Sequence, residues 1–316
     1  MTPRLGLGLA ALGRPAYIAL DRDRDLGPFS SRGVNEMRTR AHAMLDAAWA
    51  KGIRYVDAAR SYGRAEQFLG EWLTQHPERR SEFTIGSKWG YRYVAHWQRD
   101  VDVHEVKDHS LAHFETQWPE TLAALGGAPD LYLIHSVTPD SPALADTALL
   151  DRLRKLAAEG VRVGISTSGP QQGEVMDAAR TLADTPFSAV QATVNVLEPS
   201  VAPALERAHD VGWFVVAKEV FANGRLASTP ASEPSTPVGR RVAPEGKPST
   251  PWAAALTEAT GLVPEVAALG WALAQPYLDV ALTGAVTEQQ LDANLTAVAL
   301  TPEQLAAAAA LAVDPT

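Results

Sequence analysis

Cysteine is absent from all 316 residues, which excludes disulfides, iron–sulfur clusters and thiolate metal sites and leaves no redox-compartment signal. Positive charge is in deficit. With 28 Lys and Arg against 37 Asp and Glu, the formal net charge is −9, so the phosphate neutralisation that drives sequence-independent nucleic-acid binding is missing. The apolar run near the start, MTPRLGLGLAALGRP, is too short to span a bilayer and lacks a small-residue cleavage pattern with a following spacer, so it reads as a first strand. A cytoplasmic protein without nucleic-acid or membrane partners is the expectation. A content of 46% apolar and 21% charged residues is that of an ordinary globular chain with a large core.

Short apolar, β-branched runs alternate with longer segments of helical period, the mark of βα units on a parallel sheet. Eight runs predict strands: LGLGLAAL near residue 5, RYVDAA near 54, FTIGSK near 83, LYLIHS near 131, VRVGIST near 161, AVQATVN near 189, WFVVAKE near 213 and DVALTGA near 279. Helical segments lie between them, and Gly52, Gly126, Gly160 and Gly212 close several of these in the manner of a left-handed stop. Eight such units predict an α/β fold, a (β/α)8 TIM barrel of a single domain over residues 1–316. An extra C-terminal helix follows, capped by Thr301 with Pro302 at its first position. Three connections exceed simple turns: residues 14–34, 90–108 and 226–255. The third is rich in Ser, Thr and Pro, and too little chain follows it for a second domain, so a mobile, lid-like loop within the barrel is expected.

Chemistry concentrates at strand ends. Asp57 follows RYV, Lys88 follows TIGS and His135 follows LYLI, each placing one polar group where a barrel collects its catalytic residues; Tyr62 stands five residues after Asp57. An ammonium about 4 Å from a phenol contributes roughly 4 kcal/mol at an effective dielectric near 20, enough to lower a tyrosine by up to roughly three pKa units less the effect of burial. Tyr62 is thus expected to act as a general acid, Asp57 to hold Lys88 charged and His135 to orient a carbonyl oxygen. Such a set delivers a proton to a developing alkoxide and requires a hydride donor.

In these segments the chain resembles the aldo-keto reductase superfamily. YVDAARSYGRAEQFLGEWL, with Asp57, Tyr62, Gly63 and Glu66, is similar to that family's tyrosine segment, GSKWG to its lysine strand and DLYLIHS to its histidine strand. GISTS, VQATVN and GAVTEQQLDANL match the nicotinamide and adenine segments more loosely. The resemblance implies an NAD(P)-dependent enzyme that reduces an aldehyde or ketone to an alcohol, or runs the reverse, with Tyr62, Lys88, Asp57 and His135 as the catalytic set. It further implies cofactor contacts from Ser166, Thr167, Gln191, Lys218, Glu219, Arg225, Gly284, Gln290 and Asn294, with Thr167 where the family usually has Asn. Lys218, followed by Glu219, stands where a nicotinamide-stacking Tyr is usual, and Gly284, Ala285 and Val286 lack the groups that hold an NADP 2′-phosphate. The preference between NADP and NAD is therefore open, with Arg225 or the pair Arg240 and Arg241 as substitutes. Trp89 and Tyr91 are candidate substrate contacts.

Competing readings have weaker support. His109 and His113 are spaced i, i+4 with His104 nearby, but no HExxH pattern accompanies them, and a solvated helix start with no metal is the expectation. Gly6, Gly8 and Ala11 spell a dinucleotide fingerprint that Gly13-Arg14-Pro15 breaks, and GISTSG misses the glycine a nucleophile elbow needs two residues after Ser166. A cofactor-binding sensor or scaffold of the same fold with little turnover is the alternative function.

Overall fold

The computed structural model describes residues 4–16, 23–229, 247–248, 250–297 and 299–311. All eight expected strands form: β1 Leu5–Gly8, β2 Tyr55–Asp57, β3 Thr84–Trp89, β4 Leu131–Val137, β5 Arg162–Thr167, β6 Ala189–Thr193, β7 Phe214–Lys218 and β8 Val280–Thr283. They pair in parallel in chain order, and β1 closes the ring against β8. Helices cover the outside, and the predicted glycine stops hold, with φ of +82° at Gly52, +74° at Gly126, +97° at Gly160 and +85° at Gly212. Among the described residues no helix is long and apolar enough to cross a membrane.

Strand alternation decides what faces the barrel axis. Tyr55, Leu131, Leu133, Ala189, Val216, Val280 and Leu282 form an apolar cluster separate from the helix-facing core. A side chain at Gly6 would meet Tyr55, Val280 and Leu282 at 2.7–2.9 Å, so these residues converge on one interior space. One step of two residues further, the same faces carry Asp57, Lys88, His135, Ser166, Gln191 and Lys218 at the C-terminal rim. The odd-phase residues Val56, Ile85, Tyr132, Ile134, Val163, Ile165 and Val190 pack outward in the main core.

The three long connections are more structured than the sequence suggested. Residues 14–34 include a short helix Asp23–Leu26 and a 3-10 turn Phe29–Ser31. Residues 90–108 fold an antiparallel hairpin, Tyr91–Tyr93 against Glu105–Lys107. Within 226–255, Ser228–Thr229 pairs with Lys247–Pro248, and a helix occupies Pro251–Thr260, so the loop ends before the expected boundary. Thr250 caps that helix through Ala253 N–H and Gly261 closes it at φ +69°. Ser/Thr/Pro composition hid this start, although Thr-Pro is itself an N-cap followed by proline at the first helical position. The expected mobility of residues 230–246, Arg240 and Arg241 included, lies outside the described residues. The final helix forms at Pro302–Ala310 behind a Thr301–Gln304 capping box.

The helix Ala65–Gln75, which follows Tyr62 directly, packs so closely on Leu111–Leu125 that a methyl group at Gly70 would run into the Ala124 carbonyl oxygen. Alanine in place of glycine normally stabilises a helix by about 1 kcal/mol. Here Gly70→Ala is expected to destabilise by about 1–3 kcal/mol through overpacking. Urea denaturation reads the difference, and a gain in stability would contradict the contact.

Candidate active site

At the rim, β2 and β3 are in register with Asp57 opposite Gly86, which brings Lys88, two residues on, above the carboxylate. Lys88 is fully buried. Its ammonium donates to Asp57 Oδ2 at 2.6 Å, to the Ala58 carbonyl at 2.9 Å and to the Tyr62 hydroxyl at 3.2 Å. Those are the three bonds an ammonium can donate. The second oxygen of Asp57 accepts from Gln191 Nε2 at 2.8 Å, so a residue implied for cofactor contact also anchors the acid across the barrel.

Tyr62 reaches this pair from the turn after β2. That turn is braced from behind by Glu66, a buried carboxylate that accepts from Arg60, Ser87 and Thr121 at 2.6, 2.6 and 3.0 Å. His135 comes from β4, its ring edge-on to Tyr62 with centroids 5.5 Å apart. Ser61 Oγ lies 3.3 Å from His135 Nδ1; donation by the hydroxyl leaves the ring proton on Nε2, where a substrate oxygen could accept it. The four residues expected to act together are together.

The phenol is not lowered as expected. Burial pushes Tyr62 well above the usual tyrosine range and the Asp57 carboxylate adds to the shift, while Arg14 opposes it. Burial and the Asp57 carboxylate together outweigh the contact with Lys88, whose ammonium is shared with Asp57. The Arg14 guanidinium, 5.9 Å from the centre of the Tyr62 ring, donates to the Ser61 carbonyl at 3.2 Å and bonds Glu105. It was missed in the sequence because nothing in Gly-Arg-Pro indicates burial. His135 is held well below the ordinary histidine range by burial, with Lys88, Lys218 and Arg14 adding in the same direction.

The remaining candidates divide. Ser166 Oγ accepts from Ser136 N–H at 2.8 Å, and the Thr167 hydroxyl beside it is buried with no partner among the described residues. Lys218 donates to Thr193 Oγ1 at 2.6 Å and to Glu219 at 2.8 Å, and burial lowers it. Gln290 accepts from Val286 N–H at 2.9 Å, Asn294 donates to Thr283 Oγ1, Gly284 is exposed, and Arg225 is exposed with its Nε on the Ala222 carbonyl. The Tyr91 ring lies 5.2 Å from that of His135. Trp89 does not reach the mouth: alternation turns it opposite Lys88, and its fully buried indole meets Phe114 and His109. His109 is not solvated either. It is 3% exposed, and both ring nitrogens are engaged, by Ser141 Oγ at 2.6 Å and the His135 carbonyl at 2.8 Å.

Comparison with known proteins bears on the family and the fold. The sequence model of the Aldo/keto reductase family matches residues 4–312. A D-threo-aldose 1-dehydrogenase from Pseudomonas sp is 28% identical over 249 residues, 72% of this chain and 68% of that protein. An aldo-keto reductase, str7, from Strobilurus tenacellus is 26% identical over 206 residues, 64% of this chain and 56% of that one. The holo form of aldo-keto reductase AKR11C1 from Bacillus halodurans superimposes with a TM-score of 0.70 at 22% identity, over 98% of this chain and 91% of that structure, a likeness of fold.

Lys88→Met leaves a buried carboxylate with only Gln191 for company and is expected to destabilise by about 3–5 kcal/mol. Adding Asp57→Asn should recover most of the loss. A denaturation double-mutant cycle reads the coupling, and simple additivity would contradict the pairing.

Proposed function

The chain belongs to the aldo/keto reductase family, a family of oxidoreductases, and from that membership we propose that it interconverts an aldehyde or ketone and the corresponding alcohol, with NADP or NAD as cofactor. The observation that carries this reading is the buried phenol of Tyr62, bonded by Lys88 and faced by His135 at the C-terminal rim above an apolar barrel interior.

The residues present fit a nicotinamide cofactor. The dry, unpartnered hydroxyl of Thr167 next to Ser166 is a hydrogen-bonding group in want of a ligand. Ser166, Thr167 and Gln191 would hold the carboxamide, Lys218, Glu219 and Arg225 the pyrophosphate side, and Gly284, Gln290 and Asn294 the adenine side. Bound there, the cofactor supplies or takes up a hydride.

The chain's own residues handle the proton and the carbonyl. His135 Nε2 and the Tyr62 hydroxyl both aim at a substrate oxygen, which polarises the carbonyl and fixes its orientation. As negative charge develops there, Tyr62 gives up its proton, and the Lys88 ammonium 3.2 Å away stabilises the phenolate left behind. A phenol raised by burial remains fully protonated at neutral pH, yet an alkoxide is a far stronger base than a phenolate, so delivery is downhill. The reverse reaction needs the phenolate first. Tyr91 forms the substrate wall nearest His135, and the apolar barrel below keeps water from the reacting atoms.

Tyr62→Phe should abolish turnover on a panel of aldehydes, ketones and aldoses, the last included because of the aldose dehydrogenase relative, while fluorescence titration shows cofactor binding nearly intact. Retained turnover refutes the proton role. Because the Tyr62 pKa is raised, the reducing direction should hold constant from neutral pH into the alkaline range, whereas alcohol oxidation should accelerate with pH over that span. An oxidation rate already at its plateau at pH 7 would contradict this.

With no basic side chain at Gly284, Ala285 or Val286, preference for NADP should be weak. A thousand-fold advantage of NADPH over NADH in kcat/KM would overturn that expectation.

A further inference from the structure

His135 does not sit in regular strand. Between Ile134 and Val137 the β4–β5 ladder slips register, and Ser136 adopts φ +53°. The slip frees two backbone groups near the mouth, the Ser136 N–H and the His135 carbonyl, and each needs a partner. Ser166 Oγ takes the first at 2.8 Å; His109 Nε2 takes the second at 2.8 Å. A carbonyl oxygen only accepts, so the His109 proton is on Nε2. Nδ1 is then the acceptor, and the Ser141 hydroxyl, 2.6 Å away, donates to it.

The site around His109 is built for this ring. Burial pushes its pKa down to about 4, so the neutral form that the two bonds require persists beside its titratable neighbours Lys107, Asp108 and His113. Gly90, at φ +105°, leaves room: a side chain there would press on the imidazole. Trp89 and Tyr91 pack edge-on against His109 at 6.2 and 6.1 Å, and Tyr91 in turn meets the His135 ring. His109 therefore braces both the backbone of His135 and the aromatic wall beside it.

We propose that His109 is a positioning residue, which holds the His135 bulge in place and so aims the His135 imidazole at the substrate oxygen, with Ser141 fixing the tautomer that makes this possible. The inference rests on the carbonyl-reducing reading above.

The test uses the full chain, with kinetics on the best carbonyl substrate of the panel and fluorescence titration with NADH. His109→Leu should lower kcat by on the order of tenfold to 10²-fold, as small misplacement of a catalytic group does, with the NADH Kd unchanged. His109→Gln, whose amide N–H can reach the same carbonyl, should recover most of that loss. Ser141→Ala, a mild change that removes one hydrogen bond, should lower kcat by about two- to tenfold. Unchanged kcat in His109→Leu, no recovery in His109→Gln, or a Kd that weakens in step with kcat each overturns the proposal. If His109→Leu does not fold, His109→Gln and Ser141→Ala decide: wild-type kcat in Ser141→Ala overturns it, and a fall at constant Kd supports it. Tyr62→Phe run in parallel separates the two readings. If it still turns over, the functional reading fails; if it is inactive while the His109 and Ser141 variants match the wild type, only the positioning role fails.

Discussion

An ammonium with no exposure to water must find all its hydrogen-bond acceptors inside the protein, and much of the barrel mouth follows from that demand on Lys88. Moving such a charge out of water carries an effective penalty of several kcal/mol, offset only by a close counter-ion and satisfied protons. Asp57, the Ala58 carbonyl and Tyr62 meet it, and all three come from β2 and the turn that follows. Their positions depend in turn on the β2–β3 register and on Gly86, where any side chain would collide with the Tyr55 ring beneath the carboxylate. A shift of one residue between these strands would turn Lys88 toward the helices. The register is thus specified by the outward apolar set, Val56, Ile85 and Tyr132, as much as by the polar one.

The same pairing limits what Lys88 can do for Tyr62. Lys88 is bonded to Asp57 at 2.6 Å, and burial, with the Asp57 carboxylate acting in the same direction, dominates the phenol's proton affinity. The cation that does act on Tyr62 in the opposite direction is Arg14, from the connection after β1, and Arg14 is itself moderated by Glu105 from the hairpin after β3. Control of the Tyr62 proton affinity is therefore spread over segments far apart in sequence, and the local spacing of Asp57 and Tyr62 records only part of it.

This explains which features were legible from the residues alone. Strand positions, helix positions and glycine stops are written locally, in periodicity and in single residues with special φ, and eight strands and nine of the helices were found where expected. Asp57, Lys88 and His135 were legible because the C-terminal end of an apolar strand has little structural use for a polar group. What was not legible depends on burial decided by tertiary packing. Trp89 looks like a mouth aromatic until alternation against Lys88 is applied, His109 looks solvated beside Asp108 and Ser110, and Arg14 looks like a loop cation. Thr250-Pro251 carried a helix start that composition obscured. The β4 bulge leaves no trace in LYLIHSV, yet it accounts for the burial of His109 and the occupation of Ser166.

The end of β7 shows how the departure at Lys218 is accommodated. Just after it, Glu219, Ala222 and Asn223 take left-handed conformations with φ of +57°, +48° and +55°, which non-glycine residues adopt only when their surroundings enforce it. The enforcement is visible: Asn195 Nδ2 holds the Glu219 carbonyl, Asn223 Nδ2 reaches the Glu219 carboxylate at 3.2 Å, and Lys218 bonds both that carboxylate and Thr193. Substitution of Lys218 alone would leave the Glu219 carboxylate with Asn223 and without its counter-ion. Lysine and glutamate at this position are therefore one unit: the barrel mouth presents a neutralised, hydrogen-bonded pair on a preformed loop. A bare cation here would repel the nearby Lys88 and draw the Asp57 carboxylate away from it; a paired one leaves the Lys88–Asp57 contact, on which the mouth depends, undisturbed.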